Sequence, residues 1–378
     1  MPYNFEIYKE ASDLPADWNS IIGCHNMMLS TEYLHALGHS GPGNMDCYMA
    51  GFFENDRLIG GALFQYLDFQ YHSSFQKNKA WFDIRNMAIR KFSKDIMVLG
   101  NNMLTGQNGF YFDLSRISLS AAVLLLEKAA RKMQKEIRKT SLIIYKDYRK
   151  DFMEYFMDGI FRSYYRFSVQ PNMVLNLKES WKNFEGYMNG LSSKYRSRAR
   201  SARKKIPEIR KFELGPDEIK KYEPKINWLY QNVAGNARFN TFFLAENHFK
   251  IMKESLQERF KVFGYFSGEE LIGFYTLILN GTDIDTYFLG YDKELQKEKQ
   301  LYLNMLLDMV EFGICQNFRR IIFGRTALEI KSTIGAEPVE IFGLIRHRNL
   351  LINGFMGRIF TFFNPKTVWV QRNPFKDD

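Results

Sequence analysis

Short apolar runs on either side of polar turns appear twice in the chain in nearly the same form. "MAGFFENDRLIGGALF" (49–64) and "VFGYFSGEELIGFYTL" (262–277) align without a gap at an offset of 213. Gly51 matches Gly264, Phe53 matches Phe266, and Leu58-Ile59-Gly60 matches Leu271-Ile272-Gly273. In each copy Glu54-Asn55-Asp56 or Ser267-Gly268-Glu269 separates two strand-like runs, the pattern of a β-hairpin. The elements that follow recur too. A run ending in Leu-Gly, "IMVLG" (96–100) or "DTYFLG" (285–290), is followed by a helical pattern, "LSAAVLLLEKAARKMQKEI" (119–137) or "KQLYLNMLLDMVEFGICQN" (299–317). A strand closes each half, "SLIIYKD" (141–147) or "RRIIFGRT" (319–326). Both halves therefore read hairpin, strand, helix, strand. This order predicts two tandem domains, 1–170 and 171–378, with Pro171 and Pro207 bracketing the junction.

Composition narrows the picture. At 378 residues the chain has length for two domains, and 46% hydrophobic and 16% aromatic content supplies two cores. The net charge of +10 favours anionic partners: phosphates, nucleic acid, acidic lipid or an acidic carrier protein. Cys24, Cys47 and Cys315 are odd in number and far apart, which predicts reduced thiols in a cytoplasmic protein and neither a disulfide framework nor a zinc site. The opening "MPYNFEIYKEASDLPADW" has no basic–apolar signal pattern, and no apolar run reaches the roughly 20 residues of a membrane span.

Much of the positive charge lies in one stretch. "LSSKYRSRARSARKKI" (191–206) has seven Lys or Arg in Lys194–Lys205 and no acidic residue. Leu191, Tyr195, Ala199, Ala202 and Ile206 form one stripe at helical spacing. Arg196, Arg200, Arg203 and Lys204 flank it on one side, and Lys194, Arg198 and Lys205 on the other. A face of like charges gains from a bound polyanion, so these residues are candidate donor- or phosphate-binding groups.

The basic stretch, the strand–helix–strand "DTYFLGYD…LYLNMLLDMVEFGI…RRIIFGRT" and the ending "GRTALEIKSTIGAEP" (324–338) together resemble the tandem-GNAT proteins. These are N-acyltransferase-fold chains that include the Fem-type aminoacyltransferases of cell-wall assembly. The resemblance implies an α/β (α+β) chain of two GNAT-like domains, each a mixed, mostly antiparallel sheet flanked by helices. It implies acyl transfer to an amine, on a small molecule or lipid precursor, from an acyl-CoA or acyl carrier protein thioester, with no tightly bound cofactor and no metal. The GNAT phosphate loop is glycine-rich, whereas the corresponding "YDKELQKEKQ" (291–300) has no glycine. In the first half "GNNMLTGQNG" (100–109) has glycines without the motif. Acyl carrier protein or charged tRNA therefore gains weight over CoA.

If 319–324 is the fifth strand of a GNAT core, its end opens into the cleft. Glu329 is then the expected base for the incoming ammonium, with Lys331 or Arg325 near the oxyanion or phosphates. Tyr291 is placed to protonate a leaving thiolate. His347, between Arg346 and Arg348, is a further candidate base, kept neutral by its cationic neighbours. Two other readings stay open. One is a Fem-type enzyme using aminoacyl-tRNA. The other is a non-catalytic tandem chain that binds nucleic acid or an anionic membrane, the latter placing it at the inner membrane face.

Overall fold

The hairpin pattern is realised in both halves, and its repeat extends to a local irregularity. The computed structural model describes residues 3–68, 95–156, 159–235, 241–363 and 368–376. The first half runs β1 (Tyr3–Tyr8), α1 (Thr31–Ser40), β2 (Met45–Glu54), β3 (Arg57–Asp68), β4 (Asp95–Leu99), β5 (Phe110–Phe112), α2 (Leu119–Glu136), β6 (Leu142–Tyr148) and β7 (Tyr165–Ser168). The second begins with β8 (Asn172–Asn176), α3 (Phe184–Gly190), α4 (Ser193–Arg203), β9 (Ile209–Glu213), α5 (Pro216–Ala234) and α6 (His248–Leu256). It continues with β10 (Phe260–Ser267), β11 (Glu270–Asn280), β12 (Asp283–Tyr291), α7 (Lys293–Lys299), α8 (Leu301–Cys315), β13 (Arg320–Gly324), α9 (Leu328–Ser332) and β14 (Glu337–Val339). The chain ends with β15 (Phe342–His347), α10 (Leu350–Gly354) and α11 (Met356–Phe363).

These elements make two mixed sheets. One has the order β1-β2-β3-β4-β6-β15-β7, with β5 also on β3; the other has the order β14-β8-β13-β12-β11-β10-β9. All neighbours are antiparallel except β4–β6 and β12–β13. The register of β2 against β3 slips between Phe52 and Phe53, and that of β10 against β11 slips between Tyr265 and Phe266, the same place at the offset of 213. Both hairpins close through two residues. Asn55 and Asp56 both take positive φ, as a type I′ turn requires, whereas in Gly268-Glu269 only the glycine does. β3 and β11 are buried on both faces, which is why they read as nearly continuous apolar runs and not as alternations.

The chain first crosses between units at 169/170, beside the expected 170/171, but the two units are not continuous stretches. The compact units are Met1–Val169, Phe239–His248 and Glu340–Lys366 on one side, and Gln170–Arg238, Phe249–Val339 and Thr367–Asp378 on the other. The chain returns to the first unit because β15 pairs with both β6 and β7 there. No helix among the described residues is long and apolar enough to cross a membrane.

Candidate active site

In the second unit, β12 and β13 run parallel for only three rungs, Asp283–Arg320, Ile284–Ile321 and Asp285–Ile322. Beyond that they part. β13 ends at Gly324, while β12 continues along β11 to Tyr291. The register of β11 slips at the same level, between Tyr275 and Leu277, and the intervening Thr276 hydroxyl donates to Phe288 O at 2.7 Å. Thr286–Leu289 are half-buried along the opening.

The first unit has the same strand, interrupted by an inserted loop. Phe64 and Leu277 are equivalent at the offset of 213, and they pair with Leu99 and Thr286; Gly60 and Gly273 pair with Phe112 and Tyr291. Twelve residues separate Leu99 from Phe112, whereas four separate Thr286 from Tyr291, so eight extra residues interrupt the first strand. This corrects the alignment of the two Leu-Gly endings: Phe112, not Gly100, is the counterpart of the strand end. The insertion is pinched at its base, where Leu63 O accepts from Gly100 N (3.2 Å) and Leu63 N donates to Gly109 O (2.7 Å). A Cβ on Gly109 would lie 2.7 Å from Gly100 Cα, and Gly100 has φ +144°, so both positions need glycine. Lys146 Nζ donates to Asn101 O (2.8 Å) and Leu104 O (2.9 Å), and Asp147 Oδ2 accepts from Gly106 N (3.2 Å). The inserted loop is thus tied down. In the first unit β4 pairs with β6 over Ile96–Leu99 only, and β5 pairs with β3, so what distinguishes the two units is this inserted loop.

At the end of β13 the loop takes positive φ at Gly324, Thr326 and Ala327. Two of these are not glycine, a strain that surrounding contacts must hold. Lys331 supplies the hold. It is buried, unlike the exposed cation expected in the cleft, and its Nζ donates to Phe323 O (2.6 Å), Arg325 O (3.0 Å) and Gly324 O (3.3 Å). Burial pushes its pKa down to about 7. In trans, planar peptides the amide points opposite to the carbonyl. With these carbonyls drawn to one nitrogen, the amides of Arg325 and Thr326 face away from Lys331. Lys331 is therefore a positioning residue for this turn.

The remaining candidates do not form one cluster. Glu329 is exposed and bound by Arg372 (Nη2 2.5 Å, Nε 3.1 Å), so it is not the open base expected. Tyr291 ends β12 against Tyr302, and burial raises its hydroxyl pKa, so the phenol stays protonated. His347 is buried on β15 of the first unit, where its Nδ1 accepts from Asn349 N (2.9 Å); Tyr291, Arg325, Glu329 and Lys331 belong to the second unit. The glycine-free "YDKELQKEKQ" is helix α7, followed by left-handed Gln300 and the start of α8. Gln296 Oε1 accepts from Tyr302 N at 2.8 Å, so a side chain already occupies part of the α8 N-terminus.

The basic helix α4 docks through Ala199 and Ala202, as the stripe predicts. Its arginines are not equivalent. Arg203 is committed to Asp308 and, at 3.1 Å, to Glu311, and it lies over Phe184; this removes it from the candidate ligand-binding set. Arg200 reaches Glu185 at 3.6 Å. Arg196, Arg198, Lys204 and Lys205 have no carboxylate partner among the described residues. Asp308, a residue with no evident role in the sequence, sits among Arg203, the Tyr265 hydroxyl and Lys211 Nζ (2.8 Å). Among the described residues no group of three or more His, Cys, Asp or Glu could hold a metal.

No family model matches the sequence, and no curated protein matches it. Solved structures do. FemX is similar over 87% of this chain and 94% of its own, with 10% identity and a TM-score of 0.53. A tandem GNAT protein from the clavulanic acid biosynthesis pathway is similar over 92% of this chain and 99% of its own, with 9% identity and a TM-score of 0.51. The chain has the tandem GNAT fold. A conserved protein of unknown function from Bacteroides thetaiotaomicron shares this fold too, over 89% of this chain and 98% of its own, with 10% identity and a TM-score of 0.52. Among the described residues each GNAT-like unit here has one parallel strand pair, β4–β6 or β12–β13.

The last rung of that pair carries a titrating group. Asp285 is buried, and burial raises its carboxyl pKa to about 7, against about 3.9 in an unfolded chain. Between about pH 4 and 7 the folded state keeps a proton that the unfolded chain has lost, so stability present at acid pH falls as pH rises through this window. Asp285→Asn keeps the shape and cannot ionise. Its melting temperature should match the wild type near pH 4 and exceed it increasingly up to pH 8. A difference that stays constant with pH would refute the assignment.

Proposed function

We propose that the chain is an N-acyltransferase whose second unit moves an acyl group from a thioester donor, acyl-CoA or acyl carrier protein, to an amine by direct attack. The observation that carries this reading is the parting of β12 and β13 after three rungs, with Lys331 holding the turn that follows β13. The amine nitrogen would attack the thioester carbonyl carbon and form the C–N bond. The oxyanion would rest on the Arg325 and Thr326 amides, a use of fixed dipoles that costs little reorganisation. As the intermediate collapses the C–S bond breaks, the thiolate takes the Tyr291 proton, and the ammonium proton passes to solvent or to Tyr291 as its phenolate. No Ser or Cys nucleophile is needed.

A second reading, aminoacyl-tRNA as donor, is favoured by two features. The α8 N-terminus is occupied where a GNAT chain would take the CoA pyrophosphate, and Arg196, Arg198, Lys204 and Lys205 offer cations to a longer polyanion. The experiment is a melting series with acetyl-CoA, acyl carrier protein and charged tRNA. A rise in melting temperature with one of them identifies the donor, and product formation with an amine identifies the enzyme. Replacing Arg196, Arg198 and Lys204 with Gln should weaken a tRNA complex and flatten its salt dependence, by roughly one unit of slope for each phosphate no longer neutralised. A donor that binds equally well to this variant does not use α4. No shift with any donor would favour the non-catalytic reading.

A further inference from the structure

We infer that α10 and the start of α11 form a wedge that docks the first unit on an anionic lipid bilayer. Leu350 and Leu351 are each 79% exposed and Phe355 is 57% exposed. Three large apolar side chains thus face water within six residues, whereas exposed apolar residues on a soluble surface are usually scattered singly. The helices are nevertheless firmly seated. Ile352 and Met356 pack into a small core with Leu67, Ile96, Leu142 and Ile345. Asn349 caps α10 by accepting from Leu351 N (2.9 Å) and Ile352 N (3.2 Å), and Asn353 donates to Ser163 O at 2.7 Å. The outward side chains are thus held outward by a fixed backbone.

The charge around them selects the partner. Residues 341–366 contain no Asp or Glu, and of their arginines Arg346 turns to Glu127 (3.7 Å) while Arg348 and Arg358 remain for a partner. Arg348 and Arg358 lie on either side of the apolar residues in the sequence, with the Arg358 guanidinium 5.9 Å from the Phe355 ring. Apolar side chains at the depth of the acyl boundary, with arginines at the level of the headgroups, are the chemistry of an interfacial anchor. A protein partner with a matching groove would need no such exclusion of carboxylates. The α11 segment is too short to span a bilayer, so the contact lies in the interface plane.

The full chain is tested by cosedimentation with vesicles of phosphatidylcholine alone and vesicles containing about a quarter phosphatidylglycerol. It should bind the anionic vesicles at least tenfold more tightly. Leu350→Ser, Leu351→Ser and Phe355→Ser together should abolish this binding with an unchanged melting temperature, since these side chains are exposed. Arg348→Gln with Arg358→Gln should keep weak binding and lose the preference for phosphatidylglycerol. Vesicle binding that survives the serine variant and is lost on replacing the α4 cations would overturn the inference. So would a concentration-dependent dimer that the serine variant dissociates, which would make the wedge an interface between copies.

Discussion

Asp308→Ala should be the most destabilising single change in the second unit, costing about 3–5 kcal/mol, the scale for removing one partner from a buried ion pair. Asp308 is buried on α8, with Arg203 from α4, Lys211 from β9 and the Tyr265 hydroxyl from β10 converging on its two oxygens. Three elements are joined to the helix through one carboxylate. Its removal leaves two cations facing each other and a buried hydroxyl without an acceptor. Glu311 stays near Arg203 and Lys211 is partly exposed, so solvent and that second carboxylate should hold the loss toward the lower end. The first unit has a counterpart. Glu127 on α2 is fully buried, and it accepts from Tyr145 (2.6 Å), Tyr164 (2.8 Å) and Arg131 (2.8 Å). Glu127→Ala should therefore cost at least as much in its own unit. Urea titration combined with amide hydrogen exchange in α8 and α2 assigns each loss to a unit. A loss below about 1 kcal/mol at Asp308 would mean that water already serves this cluster.

Neither carboxylate was singled out by the sequence pattern. "AAVLLLEKAA" and "LNMLLDMVEF" each place one acid within an apolar helical face, and burial of such a charge requires partners. The partners were not legible: Arg203 and Asp308 lie 105 residues apart, so α4 looked free of carboxylates when read locally. The duplicated hairpin was legible because its period and turn are both local features. The strand after it was harder. Two endings in Leu-Gly suggested one register, but pairing to β3 and β11 sets the register, and a loop inserted between two rungs has no signature in the strand pattern. The return of 340–366 to the first unit is similarly a matter of long-range pairing by β15. In "GRTALEIKSTIGAEP" the sequence did not distinguish the surroundings of its two charges. Glu329 and Lys331 are two residues apart, yet one faces solvent and Arg372 while the other turns inward, which is set by the left-handed turn before α9.

That difference separates the expected effects of the two substitutions. Glu329→Gln should cost at most about 1 kcal/mol, as for an exposed ion pair, and should change turnover little, because a carboxylate held by Arg372 is not a ready base. Lys331→Met should leave the carbonyls of Phe323, Gly324 and Arg325 without their shared donor, a stability loss of about 1–3 kcal/mol. The freed peptides can then rotate, and the amides of Arg325 and Thr326 lose their common direction. Turnover should fall about 10²-fold or more, the scale for losing an oxyanion donor, with little change in KM for the donor. The variant should also lose a pH dependence. The unfolded lysine titrates near 10.4, and the folded one near 7. Between those values the unfolded chain binds the extra proton, so this residue's contribution to stability rises with pH in the wild type and is absent in Lys331→Met. Hydrogen exchange at 324–328 reports the loop without any substrate and should quicken in the variant. If exchange quickens while turnover per folded molecule is unchanged, the loop does not hold the reacting carbonyl, and the oxyanion site must lie elsewhere along β12.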